Sequence, residues 1–265
     1  MLIVVLFLFS LVVVVVSREF QPYADNSGTL VGVAGPGYCI LASDTRLSDS
    51  YFIRSRSIRR VHALDGREGE EEGSLLFGAA GCWADSLALV QGLRESIVRY
   101  QWENDRLLSV AALSHLLSTT LYSRRLFPFY SLCVVAGLDA KTREGAIYRY
   151  DSIGSFERLR ATCAGKGEQL IQPLLDEATN MEQSPELWSM SAEGDSFITQ
   201  PSAIRSAAFN MTIDDACKLI LRAFQAAAER EITVGDGVEM WILEDSKDNA
   251  KGSTLTRRIS FLPRH

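Results

Sequence analysis

Along most of this chain apolar residues recur at one of two spacings, and the spacing changes block by block. Thr29–Gly35 alternates, GPG at 35–37 turns the chain, and Tyr38–Asp44 runs apolar, which together predict a β-hairpin. Tyr51–Ser55, Ile58–Leu64 and Ser74–Ala80 read as further strands. The charged run GREGEEEG at 66–73 reads as a solvated loop. The period then lengthens. Over 85–105, Val90, Leu93, Ile97 and Tyr100 share one helical face. Over 109–122, Val110, Leu113, Leu117 and Leu121 do the same, with Ser109 as N-cap. Strand patterns return at Tyr130–Leu138, Ala146–Tyr150 and Phe156–Ala161. A third helix is predicted over 167–178 from Leu170, Ile171, Leu174 and Leu175, with Pro173 kinking it or marking its first turn. Residues 179–209, with Pro185 and Pro201, read as a long polar loop. A fourth helix starts at Thr212, where Asp215 three residues on completes a capping-box-like start. Its inner face is Ile213, Ala216, Ile220, Phe224 and Ala227. Val238–Glu244 and Ser253–Ser260 close the chain as strands.

Strands and helices in separate blocks predict an α+β fold. Two sheets with helix pairs outside them would bury every apolar face, with Leu132 and Ile220 in the core. No repeat or linker divides the chain after residue 29.

Composition narrows the chemistry. The chain is 47% hydrophobic and 23% charged, with a net charge of −6. No Lys/Arg block stands out, which argues against a nucleic-acid partner. Cys39, Cys82, Cys133, Cys163 and Cys217 form no CxxC or Cys/His ligand spacing. Buried free thiols in a reducing compartment are expected, and no metal site. His62, His115 and His265 are the only histidines. Neither His62 nor His115 neighbours a nucleophile motif, so both read as packed or surface groups.

Residues 1–16, MLIVVLFLFSLVVVVV, are apolar but for Ser10. No basic region precedes them and no small-x-small cleavage site follows. Sixteen residues is just short of the usual membrane span. A signal or anchor, a removed pro-segment and an upstream extension of the gene all fit. The first would make this a secreted or membrane-anchored protein; the cysteine pattern favours the other two and no membrane association.

Three runs carry a resemblance: GTLVGVAGPGYCILASDTRLS from Gly28, LYSRRLFPFYSLCVVAGLD at 121–139 and YDSIGSFERLRATCAGKGEQLIQPLLD at 150–176. Over about 29–245 the chain resembles the β-type subunits of the proteasome. FQPYADNSGT, ASDTRLS, LYSRR-FP-Y, QPLLD and AER together resemble the sixth β position of the eukaryotic twenty-S core. The resemblance implies an Ntn-hydrolase fold, a four-layer αββα sandwich over 29–265, preceded by a leader at 1–28. It also implies assembly with other β subunits of the same and the opposite ring and with α subunits, a place in cytoplasm and nucleus, and no cofactor.

In active members of that family a freed N-terminal Thr is the nucleophile and its own amine the base. Gly28–Thr29 looks like the bond such an enzyme would cut. The family's Asp lies sixteen residues after its nucleophile. Here that Asp is Asp44, and sixteen residues before it stands Gly28, not Thr29. A one-residue slip on a strand turns a side chain to the opposite face. By resemblance the family's Lys maps to Arg60, its GSGS-like serine to Lys166, its late Asp to Glu231 and a following serine to Val234. Asp44 and Arg46 are kept, and each can equally tie a turn. The resemblance therefore implies a non-catalytic subunit that helps to shape a neighbour's site. The alternative is an active threonine protease using Thr29.

Overall fold

A computed structural model of the chain describes residues 23–65, 74–180, 211–246 and 253–262. The expectations for 1–16, 66–73, His265 and the polar stretch beyond residue 180 lie outside those residues. The elements run β1 (Thr29–Gly35), β2 (Tyr38–Asp44), β3 (Leu47–Asp49), β4 (Phe52–Ser55), β5 (Val61–Ala63), β6 (Leu75–Gly81), α1 (Trp83–Asn104) and α2 (Val110–Ser123). They continue with β7 (Ser131–Leu138), β8 (Gly145–Tyr150), β9 (Phe156–Leu159), β10 (Ala161–Gly165), α3 (Glu168–Asn180), α4 (Ile213–Ala228), β11 (Gly237–Asp245) and β12 (Ser253–Phe261).

One antiparallel sheet has the order β10-β1-β2-β11-β12 and the other β5-β6-β7-β8-β9. Alternation along β1 sets the layers. Val31 and Val33 face α3 and α4, meeting Ile171, Leu175, Ile220 and Phe224. Leu30 and Ala34 face the second sheet, meeting Leu76, Val134 and Ile147. The far side of that sheet is covered by α1 and α2 through Leu93, Ile97, Leu113 and Leu117. The result is the four-layer αββα sandwich of the Ntn-hydrolase fold. All five cysteines are free and buried. His115 is exposed and sets its edge against Phe156 at 5.3 Å. His62 is half-buried, and burial pushes its imidazole down to about 4.

The structure corrects four details. The strand expected at Phe156–Ala161 is two strands in different sheets. The chain crosses over at Arg160, whose carbonyl accepts from Ala34 N (2.7 Å), so β9 pairs with β8 and β10 with β1. Ile58–Leu64 yields only the three-residue β5, because Ile58 N donates to Thr45 O instead of a strand. Phe52–Ser55 pairs with β3, too short a strand for a period to show, in a two-stranded ribbon. Pro173 lies inside α3, past its first turn. It sits on the exposed face, where the carbonyl deprived of a donor can reach water. Thr212 does cap α4, accepting from Asp215 N at 3.3 Å.

Ile220 is fully buried against the first sheet, whereas Leu132 is only partly buried. An unpaired buried charge costs several kcal/mol, comparable to the whole stability of a domain. Ile220→Asp should abolish soluble folded chain, and Leu132→Asp should leave folded protein with a lowered urea midpoint.

Candidate functional site

The lead-in to β1, the ends of β2, β6 and β10 and the lead-in to β5 converge at one end of the sandwich. Thr29 is paired with Gly165 and Leu30 with Ser43, so the first residues of β1 lie between the ends of its two neighbours. Asp44 closes β2 and is fully buried. Its Oδ1 accepts from Thr29 N at 2.9 Å and faces Arg60 Nε at 3.4 Å. Its Oδ2 has no hydrogen-bond partner among the described residues. Burial pushes the Asp44 carboxyl up to about 6, against the opposing pull of Arg60 and of the Thr29 amide. Burial likewise lowers the Arg60 guanidinium from its ordinary value, opposed by Asp44. Arg60 Nη2 donates to the carbonyls of Arg46 (2.7 Å) and Asn26 (3.1 Å).

Gly28 lies beside this pair with φ of +106°, a conformation that side chains disfavour. A β-carbon at position 28 would stand 2.5 Å from Arg60 Cζ and 2.6 Å from its Nε. Position 28 therefore faces the Asp44–Arg60 pair, and it carries no side chain. Thr29 is buried and turned away. Its Oγ1 accepts from Gly167 N at 3.0 Å. Gly167 starts α3, its carbonyl taking the amides of Leu170 and Ile171. The Thr29 hydroxyl thus satisfies an amide at a helix N-terminus.

A cavity of about 220 Å³ opens on the other side, lined by Asp25, Ser27, Gly28, Gly81, Tyr130 and Lys166 among others. The chain before Gly28 crosses it. Gly81 N donates to Ser27 O (2.9 Å), and Asn26 N donates to Gly81 O (3.1 Å). Asn26 Oδ1 accepts from Trp83 N at 3.0 Å, at the start of α1, where Cys82 offers no side-chain cap. Tyr23 donates to Pro128 O (2.6 Å) and stacks on Phe127 at 5.3 Å.

Gly28, Asp44 and Arg60 therefore meet at one place. Lys166 joins them by its backbone, donating its N–H to Gly28 O at 3.0 Å. Its ammonium turns outward to Asp25 Oδ2 at 2.7 Å, a hydrogen bond that raises its pKa. Glu231 accepts from Thr233 N (3.1 Å) and Oγ1 (2.8 Å). Val234 is buried between the first sheet and the helices. Arg46 ties a loop, donating to Asp236 Oδ2 (2.7 Å) and Ile232 O (2.6 Å). Arg56 pairs with the same aspartate. Sequence reasoning missed Asn26, Gly81 and Gly167. The two glycines act through main-chain groups, which leave no side-chain signature; NSG at 26–28 signals a turn and gave the only hint of Asn26.

Covalent catalysis by a hydroxyl requires that it reach the reacting carbonyl beside a base and an oxyanion donor. The Gly81 amide points at a carbonyl in the cavity, as such a donor would. The residue facing the charge pair has no hydroxyl to offer, and the Thr29 hydroxyl lies on the helix side.

The profile of the family described as "Proteasome subunit" matches residues 24–193. Proteasome subunit beta type-1 of Arabidopsis thaliana is 34% identical over 85% of this chain and 91% of its own length. Probable proteasome subunit beta type-6 of Schizosaccharomyces pombe is 35% identical over 85% and 92%. Proteasome subunit beta type-6 of Saccharomyces cerevisiae is 31% identical over 89% and 90%.

The raised Asp44 pKa has a sign that can be measured. Between the ordinary value of 3.8 and about 6 the folded chain holds a proton that the unfolded chain releases. That contribution to stability is present below pH 4 and is lost as pH rises to 6. The margin by which wild type exceeds Asp44→Asn in urea denaturation should therefore shrink across pH 4–6, by up to about 3 kcal/mol.

Proposed function

Because this chain belongs to the proteasome β-type subunit family, we propose that it is a non-catalytic subunit of the 20S core, standing at the sixth β position of the ring. Its work there is architectural. It presents side surfaces to two β neighbours, and end surfaces to the α ring and the opposite β ring, in cytoplasmic and nuclear particles that degrade proteins. The observation that carries the reading is the position of Gly28. It faces the buried Asp44–Arg60 pair with no side chain, while the Thr29 hydroxyl is committed to Gly167 N.

The degenerate companions support the same reading. A guanidinium stays protonated and cannot shuttle a proton as a lysine amine can. Lys166 and Val234 offer no hydroxyl, and Glu231 is engaged with Thr233. The surface supports an assembled state. Trp102 is 86% exposed, Tyr51 86% and Leu126 101%, large side chains that ring neighbours would cover. By its place in the ring the subunit would also form one wall of a neighbour's substrate pocket, influencing cleavage preference without cutting.

The alternative is an active threonine protease created by cleavage at Gly28–Thr29. It draws on the 2.9 Å between Thr29 N and Asp44, which would place a freed amine beside a carboxylate. It leaves the hydroxyl facing the wrong layer.

Thr29→Ala separates the two. On the proposed reading it loses one buried hydrogen bond, costing about 1 kcal/mol in stability. Every peptidase activity of the purified particle, and labelling of its subunits by a threonine-directed epoxyketone, should match wild type. Loss of one activity with normal assembly would contradict the proposal.

A further inference from the structure

The Arg60 side chain is wholly buried, although the position's charge needs only to face Asp44. Its planar fork does more than balance a carboxylate. One nitrogen bridges the carbonyls of Arg46, just after β2, and Asn26, in the lead-in to β1. The guanidinium carbon also lies in the volume that a side chain at position 28 would occupy. Gly28 and Arg60 thus fit each other: the larger cation is accommodated because the residue opposite is a glycine.

The carbonyl of Asn26 belongs to a segment tied down along its length. Tyr23 is held by Pro128 O and the Phe127 ring, and Asp25 by the Lys166 ammonium. Asp25 Oδ1 accepts from Ser27 N at 2.9 Å. Asn26 caps the start of α1, and the Asn26 and Ser27 main chain exchanges two hydrogen bonds with Gly81. Ser27 has a positive φ of +59°, which a serine holds only when its surroundings impose it. The Lys166–Asp25 pair is at the exposed rim, the other ties are partly buried, and Arg60 is the one charged group among them that is wholly buried.

We infer that Tyr23–Gly28 is a resident strap closed over the cavity, and that Arg60 is its latch, filling the space left by the missing side chain at 28 and gripping the strap through Asn26 O. This rests on the contacts of the segment and not on the reading of the chain as non-catalytic. It makes the strap a built part of the fold, forming one wall of the cavity. Lysine at position 60 would keep the charge but has a single nitrogen, which could not both face Asp44 as Arg60 Nε does and reach the two carbonyls as Nη2 does.

The test is hydrogen exchange by mass spectrometry on the full chain in its native assembly, comparing wild type, R60K, G28A and G28A/R60K. In R60K the amides of Asn26, Ser27 and Gly81 should exchange faster by about ten-fold or more, the scale of one lost charge-assisted hydrogen bond. Amides within β7 and β8 should be unchanged. G28A, which alters no charge, should release the same amides by displacing the guanidinium, and should release them much less when added to R60K. Unchanged protection of the three amides in R60K would overturn the inference. So would equal effects of G28A in both backgrounds. Failure of R60K to yield folded chain would also overturn it, since Arg60 would then hold the core and not the strap.

Discussion

Arg60 carries a guanidinium into a space shut off from water, and the neighbouring chain is shaped by the need to satisfy it. Removing a cation from water costs several kcal/mol, and a buried pair recovers this only with good geometry and further hydrogen bonds. Here the further bonds come from two carbonyls, Arg46 O and Asn26 O, and the counter-charge from Asp44. Asp44 in turn fixes the Thr29 amide. The same arrangement therefore sets the start of β1, the end of β2 and the path of the chain before Gly28. The glycine follows from it: the guanidinium stands where any β-carbon at 28 would be.

That arrangement is possible because the two sheets bring strand ends together. The inter-sheet layer of Leu30, Leu41, Leu76 and Trp241 holds the sheets in fixed register. The outer layers, Ile171 and Leu175 of α3 on one side and Leu93 and Ile97 of α1 on the other, anchor the helices whose first turns border the site. Both helix starts use it directly. α3 begins at Gly167, whose amide is satisfied by Thr29, and α1 begins under Asn26. The Thr29 hydroxyl and the Asn26 amide side chain are thus both engaged in joining elements.

Much of this was legible in the sequence. The long strands and all four helices follow from periodicity, while the choice of Gly28 over Thr29 rests on the family resemblance, which implies a sixteen-residue spacing to Asp44. The β1 side-chain alternation then explains why the slip matters, since Thr29 faces the helix layer with Val31 and Val33. Other features were not legible, for physical reasons. β3 and β5 are three residues each, too short for a period to register. The break at Arg160 is a change of sheet partner between two strands with no turn residue between them. The reach of Arg60 across to Asn26 O comes from packing between distant segments. The contacts that bind Tyr23 to Ser27 to the body join distant segments and leave no trace in the sequence pattern of 1–28.

The central claim is that the main chain runs intact through Gly28–Thr29, with the Thr29 nitrogen serving as a peptide donor to Asp44. Intact mass and N-terminal sequencing of this chain from purified native particles test it most directly. The account predicts a mature N-terminus upstream of Gly28. A chain beginning at Thr29, with a free threonine amine, would contradict it.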